Sequence, residues 1–305
     1  MSQATSMFRP RLAARRRRGK AFAALCVAMS LVGVVVLGTL LFRIVQDGGS
    51  RLSVDFLRNG PSHINPGKSG IKPALIGTLW VIAITGLTAI PLGVAAAVYL
   101  EEYAGPSRLN HFIQVNIANL AGVPSVVYGM LGLAVFVRGW HVQIAGYNVG
   151  WSFGRSVLAG GLTLALLILP VIIIASREAL AAVPRSIRLA AYALGATRWQ
   201  VVRHHVVPAA LPGIMTGVIL ALSRAIGEAA PLMLIGAVTF VRMVPTSPLD
   251  AFTALPLQIY SWIQEADSAF HELAATAILV LLAVLLSMNA IAVGIRMWHQ
   301  RSKAW

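Results

Sequence analysis

Residues 209–240, AALPGIMTGVILALSRAIGEAAPLMLIGAVTF, form a long apolar run with two full charges near its middle, Arg224 and Glu228. A hydrocarbon environment penalises an ion pair more than a protein core does, so charges in such a run point to a functional site. That reading holds only if the rest of the chain is built for a bilayer, and its composition says that it is. Of the 305 residues, 57% are hydrophobic and 11% charged, with a mean hydropathy of +0.76. Soluble domains carry about 25% charged residues. The formal net charge of +15 lies in short segments between apolar runs, which argues for membrane-flanking loops and against a nucleic-acid-binding surface.

Six apolar stretches are each long enough to cross a bilayer core, which takes about 20 helical residues. They are 21–43, 73–99, 112–137, 156–176, 211–238 and 273–295. A spanning segment must satisfy its own backbone hydrogen bonds, so all are expected to be α-helices. The predicted fold class is an all-α integral membrane protein with six transmembrane helices. Inside their end residues, the other five stretches contain no Asp, Glu, Lys or Arg, which sets Arg224 and Glu228 apart.

Basic residues crowd Arg9–Lys20, the segment after the fourth stretch (Arg177, Arg185, Arg188, Arg198, Arg203) and the tail (Arg296, Arg301, Lys303). With six spans these segments share one side, expected to be cytoplasmic, so both termini lie inside. The loop with Asp250, Glu265, Asp267 and Glu272 against Arg242 is expected outside. Two groups fit poorly: Arg51, Arg58, Lys68 and Lys72 outside, and Glu101 and Glu102 in a short inner loop. The organisation read from this is a basic cytoplasmic N-terminus (1–20), a first span (21–43), an external loop (44–72), a five-helix core (73–295) and a cytoplasmic tail (296–305). The first apolar run exceeds the length of a secretory h-region and no small-x-small cleavage site comes after it, so it is read as an uncleaved span.

Prolines and glycines interrupt the spans at Pro91, Gly122–Pro124, Pro170, Pro212 and Pro231. These are either ordinary kinks or bends around a gated pathway. In the second span Gly86, Ala89, Gly93, Ala95, Ala96 and Ala97 suit close helix packing.

Several chemistries are not expected. Cys26 is the only cysteine, which leaves no disulfide framework or thiolate metal site. His204 and His205 are adjacent, so on a helix they point about 100° apart and chelate poorly. No cofactor or metal is predicted. Ser62–Ser69, SHINPGKS, lacks the first glycine of a phosphate-cradling loop and its strand-to-helix setting. The chain therefore carries no recognisable ATP-hydrolysing machinery of its own.

The segment 178–208 is predicted as a helix–Gly–helix hairpin. Leu180, Val183, Ile187, Ala190, Ala191 and Leu194 recur at spacings of three and four, one face of an amphipathic helix. Gly195 breaks it, and Thr197-Arg198-Trp199-Gln200 fits a capping box that opens a second helix, expected to end near Val207 and to be closed by Pro208. Such a hairpin suits either an anionic lipid surface or a soluble docking partner.

The frame Leu189-Ala190-Ala191-xxx-Gly195-x9-His205-x-Val207-Pro208 resembles the EAA motif, EAAxxxGx9IxLP, of ABC importer permeases. Leu189 stands where the motif has glutamate. GTLWVIAITGLTAIPLGVAAAVYLEEYA (77–104), NIANLAGVPSVVYGMLGL (116–133), ALGATRWQ (193–200) and VPAALPGIMTGVILALSRAIGEAAPL (207–232) are similar to the phosphate-specific, PstA-type branch of that family.

The resemblance implies a permease that passes inorganic phosphate through the membrane, with ATP hydrolysed by a partner. Its implied partners are a second, PstC-like permease forming a heterodimer, two copies of a cytoplasmic PstB-like ATPase and an external PstS-like phosphate-binding protein. The location implied is a bacterial inner membrane. Ala190, Ala191, Gly195, Thr197, Arg198 and Pro208 are the expected coupling residues, and Arg224 and Glu228 the expected pathway pair. Ser223, Asn119 and Tyr128, with Asn116 and Ser125 behind them, are lesser pathway candidates that could equally be helix–helix hydrogen bonds. Four residues apart, Arg224 and Glu228 are expected on one helical face, and the pair has two readings: a neutral structural brace, or an anion-attracting arginine held by its glutamate. A permease for another oxyanion and an ion-coupled anion transporter remain the alternative functions.

Overall fold

The computed structural model describes residues 12–62, 65–144, 147–237 and 243–301. Expectations on Arg9 and residues 1–11, on His63 and Ile64 of SHINPGKS, on Arg242, on the end of the fifth stretch at 238 and on Lys303 fall outside the described residues.

The first helix, α1 (Leu12–Gly48), extends beyond the expected 21–43 at both ends, since its Arg- and Lys-rich flank favours helix. It rests on the rest of the chain mainly at its final turn, where Thr276 Oγ1 donates to the Gly48 carbonyl at 2.9 Å. The helix α2 (Lys72–Val98) runs on into a π-helical turn, Tyr99–Tyr103.

The expected third span is not one helix. It consists of α3 (Arg108–Ala121) and α4 (Ser125–Gly132, extended by a π-helical turn to Val137), bent by 101°. Pro124 lacks an N–H and pushes Val123 out of the helical region, and Gly122 does not resist the turn. A two-stranded antiparallel hairpin comes next, β1 (Trp140–Ile144) and β2 (Tyr147–Trp151), with Val142 opposite Val149. It is a small β addition to a helical fold.

After it come α5 (Val157–Ala181), α6 (Arg185–Ala193) and α7 (Arg198–Ile226). Short helices α8 (Ala230–Leu234) and α9 (Leu255–Ile263) precede the long α10 (Ser268–Arg301). Among the described residues five helices are long and apolar enough to span a membrane, six if the bent pair is one span.

Boundaries move in the hairpin and at both ends of α7. Pro184 caps α6, so the amphipathic helix starts at Arg185, and Leu180 and Val183 belong to the end of α5 and its connection. Pro208 does not close a helix, because α7 passes through it. The turn Val202–Val206 just before it is π-helical, and this wider turn makes room for a proline that lacks an N–H and crowds the preceding carbonyls. At the other end α7 stops at Ile226, well short of the expected 238, because Gly227 caps it and Pro231 restarts the chain as α8.

The central helix is α5, with α2 and α7 packed along it. Gly213 and Gly217 of α7 face Ala179 and Ala175 of α5 so closely that a Cβ on either glycine would lie 2.7 or 2.4 Å from the opposing methyl. Small residues four apart on both helices let the backbones meet, which stabilises pairing in lipid through dispersion. Thr85 of α2 ties in by donating to the Gly161 carbonyl of α5 at 3.0 Å. At the opposite end of α2 from its π-turn, Phe56, Ile71, Leu255, Trp262 and Leu273 form a second buried cluster that seats α9 against α10.

Candidate functional site

Arg224 lies in the last turn of α7, where the unpaired carbonyls at a helix C-terminus favour a cation. Its Nε is 3.3 Å from Glu228 Oε1, with the side chains 48% and 20% exposed. The expectation of one helical face for both residues is corrected here. Gly227 ends the helix, and Glu228 stands in the connection to α8, returning to Arg224 across the break. The Glu228 N–H still bonds the Ala225 carbonyl at 3.3 Å, so the break is a tight turn. The charges therefore flank a discontinuity rather than sitting inside a continuous span.

Tyr128 is buried on α4, and its hydroxyl donates to the Leu120 carbonyl of α3 at 2.8 Å, clasping the bend of that pair. Gly129, the next residue, meets Pro231 of α8, with only 2.8 Å between an ideal Cβ and the Pro231 Cα. The two interrupted segments thus cross beside each other. Ser223 donates at 2.8 Å to the Ile219 carbonyl and at 2.8 Å to Asn289 Oδ1 of α10. Asn119 stands exposed on α3, outside this set of contacts, and Asn116 returns its amide to the Phe112 carbonyl at 2.8 Å. The structure pairs Arg224 with Glu228 at the break, sets Tyr128 next to the Gly129–Pro231 crossing and turns Ser223 toward α10; it leaves Asn119 apart.

At the far end of α7 is the hairpin. Gly195 has φ +80°, with its N–H on the Tyr192 carbonyl at 2.9 Å and the Ala196 N–H on the Ala191 carbonyl at 3.2 Å. That pair of bonds is a Schellman ending for α6, which needs a residue free to take positive φ. The Thr197 capping box then opens α7, with the Thr197 N–H donating to Gln200 Oε1 at 2.8 Å. Ala191 is buried and Ala190 exposed, and Pro208 is half-buried within α7. Leu189, Tyr192, Leu194 and Trp199 are large apolar side chains exposed on the outer surface of the hairpin.

Sequence reasoning missed how the inner surface is held. Glu102 of the π-turn after α2 is 8% exposed and takes Arg188 of α6, with Nη2 2.6 Å and Nε 3.2 Å from Oε1. Arg188 also donates to the Val183 carbonyl at 2.6 Å and the Leu180 carbonyl at 3.0 Å, which closes the end of α5. Arg198 donates to the Glu102 carbonyl and lies 5.0 Å above the Tyr103 ring. Glu101 pairs with Arg177 of α5 at 3.4 Å. The available signal was the poor fit of Glu101 and Glu102 to the charge rule: they meet the arginines of a neighbouring segment. A second missed signal is spacing. Thr216 and Ser223 of α7 are seven apart, as are Asn289 and Arg296 of α10, and they pair as Ser223–Asn289 and Thr216–Arg296, both bonds within 2.9 Å.

Residues 89–301 match the family described as binding-protein-dependent transport system inner membrane component. The Bacillus subtilis protein called probable ABC transporter permease protein YqgH is 40% identical over 200 residues, 65% of this chain and 62% of YqgH, so the chain spans less than two thirds of that relative. A Methanocaldococcus jannaschii protein called probable phosphate transport system permease protein PstA is 31% identical over 273 residues, 89% of this chain and 91% of that protein. In fold, a chain from the crystal structure of a bacterial alginate ABC transporter in complex with its alginate pentasaccharide-bound periplasmic protein superposes with a TM-score of 0.66 at 14% identity, covering 93% of this chain and 96% of that one.

Proposed function

The chain belongs to the binding-protein-dependent transport system inner membrane component family, and from that premise we propose that it is a permease subunit of an ATP-driven importer of inorganic phosphate. The observation that carries the mechanism is the continuity of α7, which runs without a break from the capped hairpin at Arg198 to Arg224. Phosphate as substrate is supported by the PstA-named relative and by an arginine, a fixed cation with forked donors, at the only pair of full charges in the 209–240 run.

In this reading the hairpin lies on the cytoplasmic side, with both termini, and docks an ATPase subunit, its coupling shape set by Ala190, Ala191, Gly195, Thr197, Arg198 and Pro208. A second permease completes the pathway, and an external binding protein delivers the anion. Arg224 attracts phosphate as the pathway opens. Glu228, bonded to Arg224 across the helix break, holds the guanidinium in place and keeps the anion from binding too tightly to leave. Tyr128 and Ser223 set the walls near it, and Asn119 lies further along. The chain itself moves no covalent bonds: hydrolysis in the ATPase displaces the hairpin, and α7 carries that displacement to the arginine.

The test is labelled-phosphate uptake into vesicles that hold the assembled transporter. Uptake is expected to need internal ATP and to resist excess sulfate. Uptake that persists without ATP would point to an ion-coupled carrier, and sulfate competition to another oxyanion.

A further inference from the structure

We infer that Glu102 is a positioning residue that locks the coupling hairpin to the membrane core, so that α2, the end of α5 and the hairpin move as one body during transport. The inference rests on the transport reading above and adds to it a residue and a mode of motion.

Glu102 sits where a carboxylate is disfavoured, in the last turn after a helix whose C-terminal carbonyls already carry partial negative charge. It is nearly buried, which adds a desolvation penalty. Both costs are offset by the arginines around it. Arg188 reaches the carboxylate with two nitrogens, Nε spanning both oxygens, and donates further to the Leu180 and Val183 carbonyls. Arg198 takes the backbone carbonyl of the same residue and stacks on Tyr103.

One residue at the end of α2 thus holds the first hairpin helix through Arg188, the end of α5 through that same guanidinium, and the start of α7 through Arg198. Glu101, beside it, binds Arg177 of α5 separately. A hairpin attached at one point can pivot. This one is attached at several, and pivoting would strip partners from a buried carboxylate. A push on the hairpin therefore passes into α2 and α5 as well as along α7 to Arg224.

The test uses the whole transporter in vesicles, in a Cys26→Ser background, with phosphate uptake and ATP hydrolysis measured together. For Glu102→Gln at wild-type assembly, phosphate moved per ATP is expected to fall about tenfold or more, the loss of a charge-assisted contact, while hydrolysis continues. The reversed pair Glu102→Arg with Arg188→Glu is expected to regain part of the ratio. In a second arm, cysteines at 102 and 188 are joined by a short bis-methanethiosulfonate reagent, whose disulfide links a reductant cleaves. Movement as one body predicts that the linked transporter is at least as active as the unlinked one. An unchanged ratio in Glu102→Gln overturns the inference, as does uptake that stops on linking and returns on reduction. If Glu102→Gln does not assemble, the linking arm decides. A wild-type complex that takes up no phosphate at all defeats the transport reading instead, whatever linking does to its ATP hydrolysis.

Discussion

Arg224 was visible in the sequence because full charges are rare in apolar runs, but its setting was not. Four-residue spacing suggested one helical face, whereas Gly227 and Pro231 end the helix between the partners, and two residues rather than the spacing decide the geometry. Replacing the arginine with a neutral polar side chain tests its role. Arg224→Gln is expected to lower uptake on the order of 100-fold, the loss of a charged contact to the anion, with copurification of the partner subunits unchanged. Uptake near wild type would leave the pair a brace. At the hairpin, Gly195 carries φ +80°, so Gly195→Ala is expected to cost about 1–2 kcal/mol of hairpin stability. The measurement is protease cleavage between residues 193 and 198, which should speed up in the variant. The Schellman turn and the capping box were legible because both depend on local chemistry. The Glu102 contacts were not, because they join residues 86 and 96 positions apart.

Helix boundaries show the same division. Apolar length located the long helices, but prolines had to be weighed by neighbourhood: Pro91 and Pro170 lie inside intact helices, and Pro124 helps break one. The α5–α7 contact makes a direct test. Gly217→Leu places a side chain where a Cβ would already be 2.4 Å from the Ala175 methyl, so it is expected to lower the unfolding temperature of the detergent-solubilised protein by several degrees. Gly38→Leu, on a part of α1 with nothing within 4 Å of an ideal Cβ, should leave that temperature unchanged. In the loop before α9, Asp250 accepts from the Thr246 and Ser247 N–H groups at 2.8 Å and the Thr246 hydroxyl at 3.0 Å. These donors hold its carboxyl below the ordinary carboxylate range. Since the folded value is depressed, the turn is stabilised above the unfolded value and loses that support only as pH falls through the folded one. Protection of the Thr246 and Ser247 amides, measured against the intrinsic exchange rate at each pH, is therefore expected to be high at neutral pH and to be lost as acid protonates the carboxyl, whereas in Asp250→Ala it is low throughout.

At the scale of the molecule, α1 is the least attached part. Among the glycines of α1, Gly48 alone makes a close approach: an added Cβ would lie 2.6 Å from the backbone of Ala275 and Thr276, atoms that cannot step aside. Gly48→Val is expected to separate α1 from α10, lowering cross-linking between cysteines on the two helices, while uptake per ATP remains. Charge distribution and apolar length gave the class of architecture, and they could do so because a bilayer permits few solutions. The same logic reaches the two interrupted segments at Gly122–Pro124 and Gly227–Ala229, which break apolar stretches and cross at Gly129 and Pro231. Turn bonds and the Tyr128 hydroxyl take up some of the backbone groups freed at these breaks, and for the rest lipid offers no partner. Water is therefore expected to hydrate these ends, and hydration would raise the local dielectric around Arg224. The guanidinium then need not shed all its water to face the pathway, and an arriving anion can exchange its hydration shell a few molecules at a time.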